Sequence, residues 1–302
     1  MAAQSEGYEA ALRDAFNILL STGGKRIRPT IILLIGSMLG AEPDLTIILA
    51  ASIELLHTAT LVHDDLIDGA LLRRGVPTLN SKWTPAATVL TGDFMFSCAA
   101  HLVAQTKSNE IVTIFSKTLL TIVNGEINQL FSSKCNLERS DYYRRIYSKT
   151  ASLFETSSTT AAILGNVPHK EKESLHQFGY NLGMAFQIVD DVLDYVGSEE
   201  SIGKPVGGDL RQGLITAPLL FYLENHPNDP DLAGFMDRNC PKDENKLAQI
   251  VEKIAYSDAI QQSLDESAKF ADQAKKDLSA FDESPEKTAL LEIADFIVNR
   301  KL

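Results

Sequence analysis

The sequence predicts an all-α protein built as a single domain over residues 1–302. Three observations lead there. Apolar residues recur at three- and four-residue steps almost from end to end, the period of a helix with one buried face. No run alternates with period two between turn pairs, as a half-buried strand would. No low-complexity linker or break in composition divides the chain, and 302 residues suffice to bury a large core.

In the first segment Leu12, Ala15, Phe16, Leu19 and Leu20 fall on helical spacing, and Gly23-Gly24 then ends the helix. Residues 43–68 read as one long helix, since Pro43 and Asp44 suit a first turn and no breaker intervenes before Gly69. Further helices are expected over 85–105, 108–132, 139–164, 170–196, 214–224, 242–256, 257–280 and 285–302. Pro85 and Pro285 stand where first-turn prolines are tolerated, and Ser284 is placed as a cap. The longer loops are GSEESIGKPVGGDLRQG at 197–213 and ENHPNDPD at 224–231.

Hydrophobic residues make up 44% of the chain and charged residues 23%, the balance of a soluble globular protein. The net charge of −12 argues against a nucleic-acid partner, so an anionic ligand needs a local cationic patch. Cys98, Cys135 and Cys240 show no CxxC spacing and suggest free thiols in a reducing compartment. The longest oily run, TIILLIGSMLGA at 30–41, is too short to span a bilayer. The first twenty residues carry Glu6, Glu9 and Asp14 without a signal-peptide pattern, so a cytoplasmic protein is expected.

The chemistry concentrates in two places. HDDLIDGALLRRG at 63–75 crowds three aspartates into an oily segment, and the same pattern returns as DDVLD at 190–194. On a helix, positions i, i+1 and i+4 lie roughly on one face, so Asp64, Asp65 and Asp68 point towards a common region, as do Asp190, Asp191 and Asp194. Like charges this close repel unless a cation compensates them, and Mg²⁺ prefers carboxylate oxygens while keeping sites for water and phosphate. One such cluster alone reads equally well as a solvated acidic surface. Two in oily sequence point to metal.

Six carboxylates with about three Mg²⁺ leave little positive charge for a polyanion, so a diphosphate requires further cations. GGKRIRP at 23–29 supplies Lys25, Arg26 and Arg28 beside Gly24, whose backbone can approach phosphate. Arg73 and Arg74 follow the first acidic cluster, Lys149 and Thr150 open KTASLF, and Lys204 lies in GKPVGGDL. His57 stands two helical turns before Asp64, and Gln187 precedes Asp190 by three. Each has a bland reading: a lone lysine is usually at the surface, Arg26 can simply face solvent, and a histidine on an apolar helix is more often a core residue.

In order and spacing, HDDLIDGALLRRG, GGKRIRP, KTASLF and FQIVDDVLDYVG with GKPVGGDL resemble the signature blocks of the trans-isoprenyl (polyprenyl) diphosphate synthases. The resemblance runs from about position 20 onward, although the segment before GGKRIRP is short for that family. It implies a helical bundle of the isoprenoid synthase type with a central active-site cavity, and a homodimer. It also implies Mg²⁺-dependent condensation of an allylic diphosphate with isopentenyl diphosphate. Carried over, Asp64, Asp65, Asp68, Asp190, Asp191 and Asp194 bind Mg²⁺. Arg73, Lys149, Gln187 and Lys204 contact the allylic diphosphate, with Thr150 beside Lys149. Gly24, Lys25, Arg28, His57 and Arg74 hold isopentenyl diphosphate. The family's basic C-terminal tail is represented only by Arg300 and Lys301. An aromatic five residues before the first aspartate closes the product pocket in that family. Ala59 leaves it open and Thr60 lies beside it, so a product of twenty carbons or more is expected.

No enzymic nucleophile is required, which agrees with the lack of a Ser/His/Asp or Cys/His pattern. Peripheral membrane contact during product release is compatible with this reading. A class I terpene cyclase shares the helical fold and first aspartate motif, but usually carries an asparagine-serine-glutamate metal motif where this chain has DDVLD. A non-catalytic subunit of a heteromeric synthase typically lacks one or both aspartate motifs, and both stand here.

Overall fold

The computed structural model describes residues 10–21, 23–73, 75–131, 135–197, 206–236 and 243–300. The expectations for Arg74, Lys204, Cys240 and Lys301 fall outside these residues. The described chain is helical apart from one small hairpin, and its segments gather into two compact units, neither of them continuous in sequence.

The first unit takes Met1–Ser116, Thr156–Lys172 and Ser284–Lys287. It holds α1 (Ala10–Ser21), α2 (Ile27–Met38) and α3 (Pro43–Ile67). A hairpin follows, with β1 (Leu72–Arg73) antiparallel to β2 (Val76–Pro77), then the single turn α4 (Leu79–Lys82) and α5 (Pro85–Ala104). As expected, α3 begins with Pro43 in its first turn and Asp44 near the positive end of its dipole. It stops at Asp68, where Gly69 turns left-handed at φ +63°.

Helix α3 packs on α5 and buries Leu49, Ile53, Leu56 and Ala59 in the core, and Ser52 donates to the Ala99 carbonyl at 2.7 Å. The approach is close: a Cβ on Gly92 would lie 2.2 Å from His63 Nε2. Both helices have the length and apolar composition to cross a membrane, yet α3 is mostly buried as core here. The twelve-residue run at 30–41 therefore understated the apolar segments, and α3 shows why such helices need not be spans.

The second unit takes Lys117–Glu155, Glu173–Glu283 and Thr288–Leu302. Helix α6 (Asn109–Phe131) leads into it, and α7 (Arg139–Ile146) continues through a wide π turn, Tyr147–Ala151, into α8 (Ser152–Leu164). The sequence predicts one regular helix over 139–164; the structure inserts the π turn in its middle. Helix α9 (His169–Val196) passes so close that a Cβ on Gly183 would lie 2.5 Å from Ala151 Cα.

Beyond it come α10 (Gly208–Arg211), α11 (Ala217–Asn225), a 3₁₀ turn at Pro230–Leu232 with α12 (Ala233–Met236), α13 (Glu244–Ala255), α14 (Asp258–Asp277) and α15 (Pro285–Val298). Asp243 and Ser257 cap α13 and α14, and Ser284 accepts from Lys287 N at 3.1 Å as its position predicts. Met184, Ile188, Leu219, Phe235 and Ile254 form the heart of this core. Cys98 is a buried free thiol, whereas Cys135 is disulfide-bonded, which corrects the expectation of free thiols at that position.

Candidate active site

In the first unit the acidic motif ends α3. Asp64 is half-buried, Asp68 is exposed, and Asp65 is buried. One helical step separates Asp64 from Asp65, about 100° of rotation, so Asp64 and Asp68 share a face while Asp65 turns inward. Arg73, placed by the hairpin, meets it there: Nε and Nη2 both lie 2.8 Å from Asp65 Oδ1. A cavity of about 30 Å³ adjoins this pair, lined among others by Leu19, Val62 and Leu79. It has room for water, not for a prenyl chain.

The basic segment before α2 divides its labour. Arg26 adopts a left-handed backbone at φ 49° and pairs with the buried carboxylate of Glu54 on α3, so it serves the fold rather than facing solvent. Arg28 Nη1 lies 3.4 Å from His57 Nε2, which brings these two predicted isopentenyl diphosphate ligands together. Lys25 and Gly24 are exposed in the non-helical lead-in. Thr60 donates to the His57 carbonyl at 2.7 Å, and Ala59 is fully buried.

In the second unit the DDVLD motif occupies the last turns of α9. Asp191 is the buried member: Tyr142 Oη donates to Oδ2 at 2.7 Å and Gln187 Nε2 to Oδ1 at 2.8 Å. Burial pushes its carboxyl up to about 8, helped by Asp209 and opposed by these two hydrogen bonds. Thr150 Oγ1 donates in turn to Gln187 Oε1 at 2.5 Å, which fixes the orientation of the amide. Asp194 accepts from Gly208 N at 3.1 Å and Asp209 N at 3.0 Å, so its carboxylate holds the first turn of α10. Asp190 is half-buried and pairs with Arg300.

The π turn positions the KT pair: Lys149 Nζ lies 3.6 Å from Glu126 Oε1 on α6, while Thr150 turns to α9. Tyr142 and Arg300 are the partners that the motif reading did not assign. Tyr142 gave no signal at all, because it meets Asp191 from 49 positions away.

Among the described residues, no three His, Cys, Asp or Glu side chains are arranged to hold an ion by themselves. Mg²⁺ is usually held by one or two carboxylates and completed by water and phosphate oxygens. At the end of α3 the carboxylates of Asp64 and Asp68 stay in reach of solvent, and on α9 that of Asp190 does.

Residues 9–254 match the model of the polyprenyl synthetase family. Heptaprenyl diphosphate synthase component 2 of Bacillus subtilis (strain 168) is 37% identical over 293 residues, covering 96% of this chain and 83% of that protein. Octaprenyl diphosphate synthase of Escherichia coli (strain K12) is 34% identical over 285 residues, 93% and 88% respectively. The crystal structure of polyprenyl synthase from Caulobacter crescentus CB15 complexed with calcium and isoprenyl diphosphate agrees at a TM-score of 0.91 with 36% identity, covering 100% of this chain and 92% of that one. The chain belongs to the polyprenyl synthetase family, the trans-isoprenyl diphosphate synthases. Its fold and enzyme class are those of a trans-prenyltransferase.

Proposed function

We propose that this prenyltransferase condenses an allylic diphosphate with isopentenyl diphosphate, assisted by Mg²⁺, to give an all-trans polyprenyl diphosphate of twenty carbons or longer. The carrying observation is that both aspartate motifs keep their first carboxylate, Asp64 or Asp190, outside the core in a family with a member solved with calcium and isoprenyl diphosphate. Relatives named for heptaprenyl and octaprenyl products support the long chain, as does the small side chain at Ala59.

Bound Mg²⁺, about three ions per site, would neutralise charge developing on the leaving diphosphate. Asp64, Asp68 and Asp190 would hold it, while Asp65, Asp191 and Asp194 support the motif from within. Lys149, Gln187 and Lys204 contact the allylic diphosphate, and Arg73 joins them from its place on Asp65. Arg28 and His57, with Gly24, Lys25 and Arg74, orient isopentenyl diphosphate so that its double bond faces the allylic carbon. The oily helices keep water from the allylic cation, and the departing diphosphate takes the proton that is lost. The enzyme acts as a homodimer.

The test is an assay of the purified protein with Mg²⁺, radiolabelled isopentenyl diphosphate and primers of ten, fifteen and twenty carbons. Labelled products of twenty carbons or more are expected, and Asp64→Ala or Asp190→Ala should lower kcat by about 10²- to 10³-fold. Release of a hydrocarbon or alcohol from the allylic diphosphate alone would instead establish a cyclase.

A further inference from the structure

Arg300 lies two residues beyond α15, and its guanidinium is enclosed in the second unit, with its side chain 7% exposed. It spans two features of α9. Its Cζ stands 3.9 Å from the centre of the Phe186 ring, and Nη1 reaches Asp190 Oδ1. The other donors, Nε and Nη2, are buried and meet no hydrogen-bond acceptor among the described residues. A guanidinium withdrawn this far from water needs a carboxylate beside it, and among the described residues one carboxylate and one aromatic face supply that compensation. Asp190 is more open, at 37% exposure, so a small cation can reach its carboxylate from the solvent side.

We propose that Arg300 is a built-in counter-cation for Asp190: it neutralises this carboxylate in the metal-free protein, and a divalent cation binds there by displacing it. The inference rests on the reading that Asp190 holds a metal. Arg300 and the ion carry like charge and seek the same oxygens, so each weakens the other's hold, and by linkage the effect is reciprocal. Arg300 therefore sets a threshold of metal concentration, below which Asp190 stays neutralised from within. Occupation of the site by metal releases the guanidinium, with its two unsatisfied donors, from Asp190.

The full chain and its Arg300→Met variant are titrated with Mn²⁺, counting free ion by electron paramagnetic resonance, without and then with inorganic pyrophosphate. Methionine retains the apolar stem over Phe186 and removes the charge. Without pyrophosphate the variant is expected to bind Mn²⁺ about 5-fold or more tightly than the parent. Equal or weaker binding overturns the displacement. A second measurement needs no substitution: modification of Arg300 by phenylglyoxal, followed by mass spectrometry, should be slow in the metal-free protein and speed up when Mn²⁺ is added. If the variant does not fold, that comparison decides the matter, and an unchanged rate overturns the proposal. Failure of both chains to bind Mn²⁺ even with pyrophosphate would remove the metal reading itself, and the displacement with it.

Discussion

Ala59 sits fully buried on α3, five residues before Asp64. A phenylalanine there must displace neighbours, at a cost of about 1–3 kcal/mol. Ala59→Phe is therefore expected to lower the melting temperature and to shorten the products, read by chromatography after dephosphorylation. An unchanged length distribution would remove Ala59 from the pocket floor. At this scale the sequence was only partly readable. The aspartates stood out as sets because their spacing is local. Which carboxylate turns inward did not, because that depends on Arg73 folding back through a hairpin and on Tyr142 arriving from a distant helix. Arg26 illustrates the same limit: it looks like a phosphate ligand or a solvated cation, and only the fold reveals Glu54 behind it.

Among the elements, the π turn at Tyr147–Ala151 distributes neighbouring side chains between two helices. Ser148 and Lys149 face α6, at Gly125 and Glu126, while Thr150 and Ala151 meet α9. Gly183 makes that second contact possible, so Gly183→Ala should push α9 away from the turn. We expect a loss of about 1–3 kcal/mol, seen as a fall in melting temperature, and a raised KM for the allylic diphosphate as Lys149 and Thr150 shift. A variant with parental stability would show that the crossing is looser than described. The amphipathic helices were readable from their period, within a few residues at each end. Helix α2 was not: IRPTIILLIGSM is apolar on nearly every face, and Pro29 inside its first turn resembles a breaker. The hairpin, with two residues per strand, is too short to show alternation.

For the molecule as a whole, α6 leaves Leu120, Val123, Ile127 and Leu130 exposed at 43–62%, a stripe on helical spacing. Such a stripe, matched by its own copy across a two-fold axis, suits the proposed homodimer. Leu120→Glu with Ile127→Glu is expected to halve the mass measured by light scattering after size exclusion; a parent that is already monomeric would refute the dimer.

The interleaved make-up of the two units also bears on how the chain is made. The first unit draws on Ser284–Lys287 as well as on the opening helices, and Ser37 donates to Glu286 at 2.8 Å to join these distant stretches. During synthesis the early helices emerge while residues 284–287 of their own unit are still inside the ribosome. Folding of the first unit cannot finish until almost the entire chain has been translated, and a nascent chain stalled midway would depend on chaperones to keep α3 and α5 from aggregating.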